Sequence, residues 1–223
     1  MLSIIIPAYN ATAFIDECIA SLKEPCEILI GVDGCNKTLE HVKGLHLTGA
    51  RLFYFPKNVG PFVVKNTLSD LASHNKLLFF DSDDVMAEGT ISKVDGLLDV
   101  IPYVKLNYVN FYNIKHPIEH VMNDAVIGIQ RNVFNELNGF IDWKCGADTE
   151  FSNRLIHNKI RHSLMDDVSY YRRLHGNNLT MHPDTNFASP IRKKYEQIIE
   201  MKTKTKQWPN PISKIKADCY EVN

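Results

Sequence analysis

The sequence predicts an α/β fold with a mostly parallel central sheet flanked by helices and a smaller mixed region after it. Two observations carry this. Short apolar runs alternate with helix-period segments through the first half of the chain, the pattern of βαβ units. Three of those runs also end in polar or acidic residues, and open α/β sheets bind ligands just outside the carboxyl ends of their strands.

The first strand is Leu2-Ser3-Ile4-Ile5-Ile6, β-branched and stopped by Pro7. Pro7-Ala8-Tyr9-Asn10 is a loop, with Asn10 or Thr12 as cap for a helix over about 13–23. Phe14, Cys18 and Leu22 form one row of that helix, with Ile15 and Ile19 on the next. Glu27 to Val32 is the second strand and runs into Asp33-Gly34, completing a right-handed βαβ unit. A weak helix over 39–44, a strand over 51–55, a turn-rich loop over 56–61 and a helix over 62–73 follow.

Leu77-Leu78-Phe79-Phe80 is then a fully buried strand that runs straight into Asp81-Ser82-Asp83-Asp84. Three carboxylates within four residues repel one another, and gathering them at a strand exit calls for a counter-charge. A hard cation, Mn2+ or Mg2+, held by one or two carboxylates and by substrate phosphates, answers that need. The plainer alternative is a solvated acidic loop.

Beyond the acids the alternation weakens. A helix over 91–100, strands over 104–111 and 124–130, a short helix over 132–137 closed by Asn138-Gly139, a helix over 149–158 and a strand over 167–173 are expected. From Pro190 the composition turns basic. Ile191, Tyr195, Ile198 and Ile199 make a helical stripe over 191–206, predicting a surface helix packed on the domain. A basic amphipathic helix making weak contact with an anionic membrane surface or a charged acceptor is the alternative. Trp208-Pro209-Asn210-Pro211 breaks the helix and starts a tail.

With 223 residues, 44% of them hydrophobic and 23% charged, the chain can bury a real core. A net charge of −1 gives no global reason to bind nucleic acid. The five cysteines are scattered and none forms a CxxC pair, so reduced thiols in a cytoplasmic protein are expected. The N-terminus lacks a basic region, its apolar run is too short for a signal peptide, and no stretch approaches a membrane span.

Several segments in order resemble the family 2 glycosyltransferases of the GT-A fold. They are Ser3–Asn10, Glu27–Gly34, Asn58–Asn66, Phe80–Asp84, Gly139-Phe140, Gly146–Phe151 and His175–Thr180, spread over about residues 1–180. The resemblance implies a single GT-A (Rossmann-like) domain over residues 1–189. Residues 1–100 would be its nucleotide-binding half, residues 101–189 its acceptor half, and residues 190–223 a basic helix and tail. It implies an inverting, metal-dependent transfer of a sugar from a nucleotide-sugar, a UDP-sugar foremost, to a hydroxyl of a glycan or other acceptor, as in polysaccharide biosynthesis.

The roles it implies are as follows. Backbone groups of Pro7, Ala8, Tyr9 and Asn10 reach the base, and Asp33 accepts from the uracil N–H. Asn58 or Lys65 helps hold the nucleotide, with Gly60 letting the backbone approach closely. Lys65 stands where the family commonly has Arg, which keeps the charge and loses the bidentate fork. Within Asp81-Ser82-Asp83, the family's Asp-x-Asp, Asp83 binds the metal and Asp81 reaches the ribose or the metal's water shell. His175 is a further metal ligand.

Asp148 is the general base. A helix start would lower its pKa while a base wants it raised, and partial burial would offset this. Capping the helix that begins at Thr149 is its plainer role, and Glu150 is a second candidate base. Ala147 replaces the family's preceding Glu, so acceptor identity does not carry over. Two other readings compete: a nucleotidyltransferase, which lacks its Gly-rich basic phosphate loop here, and a non-catalytic sugar-nucleotide or glycan-binding module. A zinc hydrolase is a poorer third reading.

Overall fold

The computed structural model describes residues 1–45, 47–113, 116–121, 126–176 and 178–222. Asp124 and Ala125 of the expected 124–130 strand, and Asn177 of the late His-Gly-Asn-Asn motif, lie outside the described residues.

In chain order the elements are β1 (Ser3–Ala8), α1 (Ile15–Ala20), β2 (Glu27–Asp33), α2 (Asn36–Gly44), β3 (Ala50–Phe55), α3 (Pro61–Leu71), β4 (Lys76–Phe79), β5 (Val85–Met86) and α4 (Thr90–Leu97). They continue with β6 (Tyr103–Asn113), β7 (His116–Val121), β8 (Ile127–Gln130), α5 (Arg131–Glu136), α6 (Ala147–His157), β9 (His162–Arg173), α7 (Pro190–Thr205) and β10 (Tyr220–Val222).

One sheet runs in the order β10-β3-β2-β1-β4-β8-β6-β9-β5, with β7 paired to β6. The stretch β3-β2-β1-β4 is parallel, as the strand–helix alternation requires. Every residue of β1 is buried, because helices cover both faces of this part. Ile5, Leu29 and Phe79 pack with Val64 and Leu68 of α3 and Phe151 of α6. Ile4, Ile6, Leu78 and Phe80 pack on the other face with Cys18 of α1 and Val94 of α4. The sheet becomes mixed past β4. There β8 is antiparallel to both β4 and β6, and β6 is parallel to β9. β1 lies between β2 and β4, so the strand order reverses there.

Three strands were not anticipated. β5 and β10 are too short to show a period, and β7 forms an antiparallel pair with β6. The expected tail therefore ends as an edge strand antiparallel to β3, clamped by Arg51 Nε on Glu221 at 2.8 Å. The expected cap of α1 is also corrected. Neither Asn10 nor Thr12 caps it: Phe14 is at the N-cap position and makes no side-chain capping bond. Asn10 instead adopts a left-handed φ of 51°, and the carbonyl of Ala11 accepts from the N–H groups of Phe14 and Ile15. The loop's polar groups go to its own turn and to α2, where Thr38 Oγ1 accepts from the Ala11 N–H at 3.1 Å.

One buried polar joint ties α3 to the later part of the chain, and a second ties α6 to the turn before Phe140. Asn66 of α3 accepts from the Phe140 N–H and donates to the Phe140 carbonyl, both at 2.9 Å. Arg154 of α6 is fully buried. It donates to Glu150 Oε2 at 2.8 Å and to the carbonyls of Leu137 and Gly139. α7 lies against this region through Trp143 stacked on Tyr195 at 4.3 Å and Lys202 bonded to Glu150 Oε1 at 2.7 Å. Removing one partner of a buried ion pair strands the other without water. Arg154→Met is therefore expected to lower the unfolding free energy by about 3–5 kcal/mol in urea titrations. A loss under about 1 kcal/mol would contradict this account of the joint.

Candidate active site

The site lies where β1, β2 and β4 end, beside the point of strand-order reversal, which is where ligands bind in sheets of this kind. Asp33 closes β2 and is buried. Its two carboxylate oxygens accept from the N–H groups of Val59 at 2.7 Å and Gly60 at 2.9 Å. Burial pushes its carboxyl up, against the pull of those two bonds. Asp33 thus moors the loop that precedes α3, a job the sequence did not suggest. Asn58 reaches back to the Asp33 carbonyl at 3.4 Å. Gly34 lies so close to the Asn58 backbone that a Cβ would collide with it. Gly60 has a φ of 89° and open space where a Cβ would stand, so it leaves room at the N-terminus of α3.

Across the cleft, Pro7 and Ala8 end β1 and Tyr9 is 54% exposed. Asn10 Oδ1 accepts from Cys35 Sγ at 3.2 Å, which ties this loop to the start of α2.

The acidic loop follows β4. Lys65 of α3, itself buried, donates to Asp81 Oδ1 at 2.7 Å. Asp83 Oδ2 meets His175 Nε2 at 2.9 Å and the Asn178 amide at 2.8 Å. Asp84 Oδ1 accepts from the Arg173 N–H at 3.0 Å, and burial together with Asp83 and Asp81 pushes its carboxyl well up. Ser82 sits in the turn closed by the Asp84 N–H on the Asp81 carbonyl at 3.3 Å. The counter-charge that three acids demand is thus supplied in large part by the chain itself.

Among the described residues no three His, Cys, Asp or Glu side chains form a ready-made metal cage. One oxygen of Asp81 and one of Asp83 accept no hydrogen bond among the described residues. Two half-engaged carboxylates fit a hard cation whose remaining positions are filled by phosphate oxygens and water.

Asp148 comes from the far half. Gly146, with φ 75°, is the N-cap of α6, so Asp148 lies inside the first turn and does not cap the helix. It accepts from the Thr149 N–H at 2.9 Å. Asp148 is half-buried; the desolvation that its packing brings raises its carboxyl, the Thr149 N–H and Lys65 pull it down, and Asp81 pushes it up. Lys65, Asp81 and Asp148 therefore share one electrostatic neighbourhood, although Asp148 comes from the other half of the chain. Ala147 is fully buried in the core beside Phe151. Glu150 does not stand as a base: Arg154 and Lys202 take one oxygen each.

Sequence reasoning gave no role to Arg173 or Asn178. Asn178 stood in a quoted motif. Arg173 could have been suspected as a cation at a strand end in a chain with an unbalanced acid run.

A sequence model of the family described as "Glycosyl transferase family 2" matches residues 3–195. A Haemophilus influenzae protein described as an uncharacterized glycosyltransferase is 29% identical over 100 residues, covering 42% of this chain and 40% of that protein. Among solved structures, S. aureus TarS in complex with UDP-GlcNAc superposes with a TM-score of 0.67 at 19% identity, covering 79% of this chain and 59% of that one. A mannosyltransferase from Pyrobaculum calidifontis in complex with GDP-Man and Mn2+ gives 0.61 at 16% identity, covering 79% and 58%. At these identities the two structures share the fold, and the chain spans less than two thirds of the length of each of these relatives.

Lys65 is the cation that opposes Asp81 in raising Asp148. Lys65→Met is therefore expected to move the Asp148 carboxyl further up, which carboxyl-carbon NMR titration would detect; a downward move would refute the shared neighbourhood.

Proposed function

Since the chain belongs to glycosyl transferase family 2, we propose that it moves a sugar from a nucleoside-diphosphate sugar, a UDP-sugar foremost, to a hydroxyl of a glycan or other acceptor, inverting the anomeric centre. The observation that carries this is the Lys65–Asp81 ion pair at the exit of β4, beside the reversal point of the sheet, with Asp148 near enough to feel both charges. The nucleotide-sugar complexes of the two structural neighbours support a diphosphate donor.

The donor lies along the strand exits. Its base faces the Pro7–Asn10 loop and Asp33, and Gly60 leaves room for its approach. The Lys65 ammonium opposes the negative charge that builds on the departing diphosphate. Asp83 with Asp81 would hold a divalent cation, Mn2+ or Mg2+; His175, whose Nε2 is bonded to Asp83 Oδ2, would become a ligand only by exchanging that bond. When bound, it would neutralise diphosphate charge as a Lewis acid. Asp148 takes the proton from the acceptor hydroxyl as that oxygen attacks the anomeric carbon from the face opposite the diphosphate. Its raised pKa suits this task, since a base with an ordinary carboxylate pKa grips the proton weakly.

Among the described residues no helix is long and apolar enough to cross a membrane. Contact with anionic lipid through α7 stays a subsidiary proposal, testable by vesicle sedimentation.

A nucleotide-sugar screen with Mn2+ should release a nucleoside diphosphate; release of pyrophosphate would point to a nucleotidyltransferase instead. Asp148→Asn is expected to cut transfer by about 10²–10⁴-fold with the donor KM nearly unchanged. A fully active variant would remove Asp148 from the role. The pH dependence follows from the upward shift. The folded state holds the Asp148 proton more tightly than the unfolded chain, so the ionised form opposes folding above the folded pKa. The acid limb of kcat/KM should therefore lie above the value of an ordinary aspartate. Asp148→Asn should melt no lower than the wild type at neutral pH.

A further inference from the structure

Arg173 ends β9 and makes more contacts with the acidic loop than its place on a strand requires. Its guanidinium carbon lies 4.9 Å from the Phe14 ring centroid and 4.6 Å from that of Phe111, so two aromatic side chains hold it. Its Nε donates to the Asp83 carbonyl at 2.9 Å. Its Nη2 meets Glu17 of α1 at 2.5 Å. Its own N–H donates to Asp84 Oδ1 at 3.0 Å. Two residues on, His175 meets Asp83 Oδ2 while its ring lies 4.6 Å from Phe14, the same ring that flanks Arg173.

We propose that Arg173 is the positioning residue of the acidic loop. It fixes the main chain of Asp83 so that the Asp83 carboxylate faces the donor diphosphate and its cation. This rests on the function proposed above and adds to it a residue outside the donor-contacting set. The bonds divide the work. His175 and Asn178 hold one Asp83 oxygen, and Arg173 holds the peptide that carries the side chain. A carboxylate gripped only at its oxygen can pivot with its backbone; one gripped at both ends cannot. The guanidinium is suited to this because one planar group stacks on two rings while its edge donates in two directions. An ammonium at the same place keeps the charge and loses the plane.

Partners that orient a metal-ligating group typically change metal affinity by about 10–100-fold when removed. The test uses Arg173→Gln, Arg173→Lys and, as a control, Glu17→Gln in the full chain. Mn2+ binding in the presence of UDP is followed by electron paramagnetic resonance of free Mn2+ and by thermal shift. Arg173→Gln is expected to weaken Mn2+ binding by about 10-fold or more, with Arg173→Lys between it and the wild type. Glu17→Gln is expected to stay within about two-fold, because its carboxylate is half exposed and an exposed pair contributes little.

A merely structural role would lower the melting temperature and leave Mn2+ affinity unchanged, and that result overturns the proposal. If Arg173→Gln does not fold, Arg173→Lys decides: wild-type affinity overturns the proposal, and a loss with a native circular dichroism spectrum supports it. A wild type that binds neither UDP nor Mn2+ overturns the functional reading and this inference together. A wild type that binds both, with variants that bind as well, overturns this inference alone.

Discussion

Everything at the site depends on relieving the repulsion among carboxylates packed at the end of β4. Two like charges about 4 Å apart at a protein surface oppose each other by about 4 kcal/mol. That is a large part of the net stability of an ordinary domain. The chain answers it with partners for every acid, brought from α3 and from the end of β9 and the loop after it. Lys65 of α3 takes Asp81, His175 and Asn178 take Asp83, and the backbone of Arg173 takes Asp84. The loop therefore reaches this form only when the first and last thirds of the fold have closed on it.

The same helix that supplies the cation also locks the two halves. Lys65 and Asn66 are neighbours on α3; one holds the acidic loop and the other holds Phe140 by two bonds to its backbone. The turn ending at Gly139 is gripped in addition by Arg154, four residues on from Glu150 in α6. Asp148 opens that same helix. The separation between the acidic loop and Asp148 is thus set by α3 and α6 joined through buried polar bonds. A loose hinge would let a base and a leaving group drift, and small misplacements of reacting groups are costly in rate.

The parallel half of the fold was legible because buried parallel strands read as unbroken apolar runs and their helices as period-3.6 stripes. β1 to β4 and α3 all emerged within a few residues of their bounds. The acidic loop was legible as chemistry; Lys65 and Asp148 entered through the family resemblance alone. Pairing was not legible. Nothing local to Asp83 shows that its carbonyl meets an arginine 90 residues later. Nothing local to Glu150 shows that both its oxygens are consumed, which is why it could pass for a base. The caps were misread for a related reason. α6 begins after Gly146 with positive φ, which leaves Asp148 inside the first turn, and Asn10 takes a left-handed φ in a turn ahead of α1. β10 was hidden because a three-residue edge strand owes its form to β3, across which it lies.

The position of Asp148 shows why the site needs this architecture. An acid in the first turn of a helix is stabilised as an anion by the N-terminal N–H groups, and Lys65 adds to that. Both influences weaken it as a proton acceptor. Burial wins over them, so its proton affinity is raised despite the helix start. Burial in turn needs the core to rise to the helix terminus, and the fully buried Ala147 and Phe151 are what bring it there. A glutamate at 147 would have to be accommodated within that packing or displace it. The alanine at 147 and the raised proton affinity of the acid next to it therefore follow from one packing choice.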